Sequence, residues 1–350
     1  IANAIKEIEP NADILFVGAN GKMEMEKVPA AGYPIKGLDV VGLQRKLTLK
    51  NLAFPFKLLK SLKVAKNIVR EFNPDIAVGV GGYASGPTLK MTERFKKPTL
   101  LQEQNSFAGL TNKLLAKKAR IICVAYDNME QFFQKNKIKL TGNPVRKDIL
   151  SIENKKTEAI THFGLDSSKK TILIIGGSLG ARTLNNSIKD NFKLLNKANV
   201  QLIWQTGKIY DAEMQKAAKE NGNSDIKAMP FIAKMDLAYA AADVVISRAG
   251  ALSVSELCLV KKPCVLVPSP NVSEDHQTKN AQSLVNKNAA LLVKDVESVT
   301  ILVPTVLSLL GNKALQADLM ANIEKLGKPD AAKNIAQEVL NIVKSEKNKK

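Results

Sequence analysis

Thr171-Ile172-Leu173-Ile174-Ile175-Gly176-Gly177-Ser178-Leu179-Gly180-Ala181-Arg182 is the stretch that decides the fold. Thr171 and four apolar residues run into a glycine turn, and a helical pattern begins directly after it. Such a unit is an anion site. Glycines let the backbone come close, and the free N–H groups and dipole of the helix start face a phosphate. The Ser178 hydroxyl adds a donor. The spacing is not GxGxxG, and no acidic residue stands about 20 positions on at a following strand end, which counts against a dinucleotide.

Outward from there, apolar runs alternate with helical patterns along most of the chain. Thr171–Ile175, Leu202–Gln205, Val244–Ser247, Cys264–Val267 and Ala290–Val293 read as short buried strands after the midpoint. Ile14–Gly18, Ile76–Val80, Thr99–Gln102 and Ile121–Val124 do so before it. Phe56–Phe72 and Leu184–Leu195 carry the 3.6-residue period of helices between them. Strand–helix alternation calls for parallel sheets covered on both faces, so the expected fold class is α/β. The break falls at Gly142–Arg146 and the polar stretch Glu153–Glu158, predicting two Rossmann-like domains, 1–146 and 147–329, facing a cleft. Asp330–Val343 reads as a helix that either closes the second domain or crosses back to the first, and for 330–350 we expect the crossing. Ile1 opens in mid-helix, so the first strand and glycine turn of the first domain are expected to precede it.

Composition fits this picture. The chain has 350 residues, 45% of them hydrophobic and 24% charged, which excludes a disordered or collagen-like chain. No apolar stretch approaches the roughly 18 residues of a spanning helix. Cys123, Cys258 and Cys264 lie in or beside apolar runs without metal spacing, and read as reduced core residues of a cytosolic protein. Lys plus Arg is 52 against 33 acids, a formal charge of +19 that asks for an anionic partner.

Two further loops point to ligands. Gly79-Val80-Gly81-Gly82-Tyr83-Ala84-Ser85-Gly86-Pro87 places four glycines in eight residues after a strand, an entropic cost tolerated where something must approach the backbone. Ser247-Arg248-Ala249-Gly250-Ala251-Leu252-Ser253-Val254-Ser255-Glu256 follows a strand and opens a helix. The Glu256 carboxylate there suits two vicinal hydroxyls, as of a ribose. Taken alone, it reads rather as a favourable charge near a helix N-terminus.

Gly81–Pro87, Glu103-Gln104-Asn105-Ser106-Phe107-Ala108-Gly109-Leu110-Thr111-Asn112-Lys113, Gly142–Arg146, Gly176–Arg182 and Arg248–Glu256 occur in that order. Together they resemble the MurG family of bacterial lipid II synthases, and the match covers nearly the whole chain. The resemblance implies a GT-B fold, with the nucleotide sugar held mainly by the second domain and the lipid acceptor by the first. It implies transfer of N-acetylglucosamine from UDP-GlcNAc to the muramoyl 4-hydroxyl of lipid I, with inversion. Carried onto this sequence, Ser178 and Arg146 are expected at the donor diphosphate and Glu256 at the ribose. Ile232 is expected to read uracil through its backbone, Ala251, Leu252, Ser253, Val254 and Ser255 to surround the sugar and phosphates, and Asn105 and Gln277 to hold sugar hydroxyls. Gly81, Gly82, Tyr83, Ser85 and Gly86 are expected at the acceptor diphosphate. The family's first glycine loop, which carries a histidine and where a general base has been sought, would precede Ile1. The catalytic base is therefore unassigned, and neither His162 nor His276 replaces it.

No Asp-x-Asp pair stands at a strand end, so neither a metal nor a cofactor is expected. The helix start at Gly176–Arg182 and Arg146 would stabilise the leaving diphosphate instead. Eight Lys/Arg and one acid lie between Leu43 and Phe72. On Phe56–Phe72, Leu58, Leu59, Leu62, Ala65, Val69 and Phe72 form one apolar face, read as packing on the sheet. In the loop before it, Arg45, Lys46 and Lys50 surround Leu47, Leu49, Leu52 and Phe54, a composition suited to docking on an anionic bilayer. The expected location is the cytoplasmic face of the bacterial cell membrane, peripherally bound. No nucleic-acid-binding module is present. The alternatives are another GT-B protein, a diacylglycerol glucosyltransferase or UDP-GlcNAc 2-epimerase, or a non-catalytic nucleotide-sugar binder. The Gly81–Pro87 and Glu103–Lys113 strings argue against the two enzymes.

Overall fold

The computed structural model describes residues 1–40, 54–177 and 179–348, with side chains except at 54–56 and 273. Arg45, Lys46, Leu47, Leu49, Lys50, Leu52 and Ser178 lie outside the described residues, as does the Phe54 side chain. Two compact units divide the chain: Ile1–Pro144 with Asp330–Lys350, and Val145–Pro329.

The first unit holds two parallel sheets. Strands β1 (Phe16–Ala19) and β2 (Ile35–Leu38) pair with each other, while β3 (Ala77–Gly79), β4 (Thr99–Glu103), β5 (Ile121–Val124) and β6 (Ile138–Leu140) form a four-stranded sheet in chain order. The sequence pattern shows neither β2 nor β6. β2 carries Lys36 and Gly37 in a four-residue span, and β6 is an edge strand whose Lys139 and Leu140 are exposed. Helix Phe54–Phe72 buries Ala65, Ile68 and Val69 against Leu38 and Met91. Its apolar stripe is shorter than the period suggests. Leu59 is 64% exposed and Leu58 and Phe72 lie at the surface, on either side of the core contacts that run from Leu62 to Val69. Helix Ala331–Lys347 belongs to this unit. Ile335, Val339 and Ile342 pack with Leu100, Cys123, Ile1, Ile5 and Ile121.

The second unit is one six-stranded parallel sheet. Its strands are β7 (Lys170–Ile175), β8 (Val200–Gln205), β9 (Ile226–Met229), β10 (Val244–Ser247), β11 (Cys264–Leu266) and β12 (Leu291–Leu292), in the spatial order β12-β11-β10-β7-β8-β9. β8 and β10 are buried at every position, as strands covered on both faces must be. From central β7 the chain moves outward through β8 and β9, then returns to β10 on the other side. The order therefore reverses between β7 and β10, and ligands of such sheets bind beyond the carboxyl ends of the strands at that point. The single helix expected over Leu184–Leu195 is two, Arg182–Lys189 and Phe192–Lys197. Asn191 Nδ2 donates to the Ser187 and Val299 carbonyls at the break, the local competition that makes Asn a poor helix interior residue.

Candidate functional site

The loop after β7 is shaped by backbone contact. Gly180, at φ +83°, lies so close to the next loop that a Cβ there would meet the Thr206 carbonyl oxygen at 2.3 Å, and a Cβ on Gly207 would meet Gly180 Cα at 2.1 Å. Gly177 also has positive φ, but its missing Cβ points into open space. Among the described residues no side chain caps the start of helix Arg182–Lys189. Its first N–H groups and the positive end of its dipole suit an anion.

β10 ends in a matching feature. Gly250 is extended and leads into helix Ala251–Val260, again without a side-chain cap. Two uncapped helix starts thus follow the two strands that flank the order reversal. Arg248 is turned away from this role, pairing with the Asp295 carboxylate and donating to the Val267 carbonyl at 3.0 Å. Asp295 also accepts from the Thr183 hydroxyl, tying the second residue of the first helix to the exit of β10. Leu252 is 52% exposed, Val254 is core, and the Ser255 hydroxyl donates back to the Ala251 carbonyl.

Glu256 lies on the second of these helices with both oxygens engaged. Tyr239 Oη donates to Oε2 at 3.0 Å and Arg146 Nε to Oε1 at 3.2 Å. The structure thus brings together Arg146 and Glu256, residues 110 positions apart in the chain. Burial pushes the Glu256 carboxyl above its ordinary pKa, against the opposing pull of Arg146 and Tyr239. Burial also pushes the Tyr239 phenol well up, aided by the Glu256 charge. Ile232 follows β9 and is buried. Gln277 accepts from the Ser269 N–H through Oε1. His276 Nε2 lies 3.3 Å from Glu274 Oε2, and exposed His162 stacks edge-on against Phe163.

The first unit carries the other glycine loop. Gly81 and Gly82 both have positive φ and open helix Gly82–Arg94, which has no side-chain cap. Tyr83 is 59% exposed, the Ser85 hydroxyl donates to the Gly81 carbonyl at 2.6 Å, and a Cβ on Gly86 would come no nearer than 3.9 Å to Thr111. Beside it lies a polar network that sequence reasoning missed. Glu103, 2% exposed, accepts from Asn105 N–H (3.1 Å), Gly109 N–H (3.0 Å) and Asn112 Nδ2 (2.8 Å). Gln102 Nε2 donates to Asn143 Oδ1, and Gln104 Nε2 to the Val80 carbonyl. Asn105 therefore sits on the loop that Glu103 organises. The available signal was the run Gln102-Glu103-Gln104 at the end of an apolar strand, where burial must be balanced by hydrogen bonds.

Residues 1–124 match the model of the glycosyltransferase family 28 N-terminal domain, and residues 171–335 that of the glycosyltransferase family 28 C-terminal domain. Over 344 residues the chain is 57% identical to the UDP-N-acetylglucosamine–N-acetylmuramyl-(pentapeptide) pyrophosphoryl-undecaprenol N-acetylglucosamine transferase of Bacteroides fragilis, covering 98% of this chain and 90% of that one. The chain belongs to the MurG family of glycosyltransferase family 28. The MurG enzyme of that name from Flavobacterium psychrophilum is 54% identical, with 99% and 94% covered. The crystal structure of Acinetobacter baumannii MurG superposes with a TM-score of 0.76 at 27% identity, covering 98% of this chain and 95% of that one. A Neisseria meningitidis UDP-GlcNAc 2-epimerase shares the fold alone, with a TM-score of 0.65 at 12% identity over 97% and 95% of the two chains. The two MurG halves are the two Rossmann-like units of the GT-B class.

Proposed function

We propose that this chain transfers N-acetylglucosamine from UDP-GlcNAc to the 4-hydroxyl of the muramoyl sugar of lipid I, with inversion, giving lipid II for peptidoglycan synthesis. Within the family frame, the carrying observation is the pair of uncapped helix starts after β7 and β10, with the Glu256 carboxylate on the second. Phosphates match the first feature and ribose hydroxyls the second. On this reading Arg146 and Ser178 hold the diphosphate, Ile232 reads uracil, Ala251–Ser255 surround the sugar and phosphates, and Asn105 and Gln277 hold sugar hydroxyls.

As the glycosidic bond breaks, its electron pair passes to the β-phosphate oxygen of UDP. The helix start at Arg182 and the Arg146 guanidinium stabilise that charge where it develops. The acceptor hydroxyl attacks the oxocarbenium-like carbon from the opposite face and loses its proton. Glu256→Ala should weaken UDP binding by about 2–3 kcal/mol, as hydrogen bonds to a charged acceptor are lost. Unchanged affinity in calorimetry would sink the ribose assignment. Arg146→Ala should lower kcat more than UDP affinity, and equal losses would make it a ground-state anchor.

For the acceptor, Gly81, Gly82, Tyr83, Ser85 and Gly86 at the start of helix Gly82–Arg94 are read as cradling the lipid diphosphate. Among the described residues no single helix is long and apolar enough to cross a membrane. Docking at the cytoplasmic leaflet is assigned to Arg45, Lys46 and Lys50 with Leu47, Leu49, Leu52 and Phe54. Each basic residue near anionic headgroups contributes about 1 kcal/mol. Exposed Leu58 and Leu59 with Lys57 and Lys63 on the following helix support that surface. Reversing the charges at Arg45, Lys46 and Lys50 should reduce binding to anionic vesicles, most at low salt, and leave UDP affinity unchanged. A variant that still sediments with vesicles like the parent places the surface elsewhere. Turnover of a lipid I analogue separates the transferase from a passive binder.

A further inference from the structure

Tyr239 sits on helix Met235–Ala241, whose seven residues are all buried, and it is among the largest fully buried side chains of the chain. A phenol placed so deep must bond its hydroxyl or lose the hydrogen bond it had with water. Its partner is Glu256 Oε2, at 3.0 Å. The other contact of that carboxylate is different in kind. Arg146 reaches Oε1 with a side chain that is 43% exposed, long and water-screened, whereas Glu256 itself is only 12% exposed. A guanidinium at the surface exchanges partners readily. A tyrosine ring packed on all sides does not.

We infer that Tyr239 is a positioning residue for the donor. Its hydroxyl fixes the plane of the Glu256 carboxylate before the nucleotide arrives, so that vicinal hydroxyls meet an acceptor already oriented. This rests on the reading of Glu256 as the ribose ligand. Preorganisation matters because an exposed glutamate loses side-chain freedom on binding, and a clamped one has lost it in folding. Tyr239 touches no substrate. Its effect passes wholly through Glu256, so it must vanish when the ligand lacks the hydroxyls that Glu256 would hold.

That requirement is the test. The full chain with Tyr239→Phe, which keeps the ring and removes only the oxygen, is titrated calorimetrically with UDP and with 2′,3′-dideoxy-UDP. The expected result is about tenfold weaker binding of UDP, the scale of one hydrogen bond to a charged group, with binding of the dideoxy ligand unchanged. Equal weakening of both ligands, or of neither, overturns the inference and leaves Tyr239 a packing residue. Should the phenylalanine variant fail to fold, Tyr239→Met, a smaller and more adaptable side chain also without a donor, is read by the same ratio. Glu256→Ala with the same two ligands separates the two failures. If it discriminates and Tyr239→Phe does not, only the positioning role is lost. If Glu256→Ala does not discriminate either, the ribose reading falls and takes the inference with it.

Discussion

The glycine loops after β7 and after β3 end in the same way, in an uncapped helix start, yet they are held by opposite means. After β7, Gly180 and Gly207 press backbone against backbone, and no side chain fits between them. After β3, the nearest groups to a Cβ on Gly81 are the amide ends of Asn112 and Gln104, both at 3.9 Å, and Gly82 faces open space. There the loop is surrounded by hydrogen-bonding side chains centred on Glu103. One cradle is set by close packing and the other by a polar network. At Gly180 and Gly207 the first is intolerant of volume, while the second is tolerant of volume and intolerant of lost acceptors.

The comparison can be broken in order of expected effect. Gly180→Ala should destabilise the chain most, by about 4 kcal/mol, since it combines overpacking against backbone with a left-handed φ. Thermal unfolding reads it, and a small shift would mean that the two loops part easily. Glu103→Ala should come next, at about 3 kcal/mol, because it removes the shared acceptor of two backbone N–H groups and the Asn112 amide. Faster hydrogen exchange confined to residues 104–112 would mark it as a loop effect, and uniform exchange would contradict that. Gly82→Ala and Gly177→Ala should cost only about 1 kcal/mol each, the left-handed penalty without a clash. A Gly82→Ala loss as large as that of Gly180→Ala would erase the distinction between the loops.

The smallest effect is that of pH. Glu256 has its carboxyl raised by burial, so the folded chain holds that proton to higher pH than the unfolded chain. Its contribution to stability is full below its unfolded pKa and is lost as pH rises through the raised folded value. Ligand-free wild type should therefore lose a little stability relative to Glu256→Gln as pH climbs from about 4.5, the ordinary glutamate value, towards neutrality. A difference that grows in the opposite direction would show that Arg146 and Tyr239 outweigh burial.

Most of the fold was legible in the pattern, because strands such as β5, β7 and β10 are apolar at nearly every position. β5 and β10 fall at the expected residues, Ile121–Val124 and Val244–Ser247. β2, β6 and β9 were not legible. They are four residues or fewer, interrupted by lysine, and exist because a neighbouring strand offers its free edge. The helix expected over Leu184–Leu195 breaks at Asn191, whose side chain donates both to the Ser187 carbonyl one turn back and to the Val299 carbonyl over a hundred residues away.

The amino-acid order alone specified the α/β class, the order of the glycine loops and residue types whose chemistry suits a phosphate and a diol. These are local matters, since a glycine turn before a helix start specifies its own backbone and dipole. Only the tertiary structure decided which side chains act on one another. Spacing says nothing of Tyr239 beneath Glu256, of Arg146 across from it, of Asp295 between two helix starts, or of Gly180 against Gly207. The reason is physical. A strand or a turn is selected by forces acting over a few residues. A buried hydrogen bond or a backbone contact is made between residues far apart in the chain, and exists only once the sheet order has brought them together.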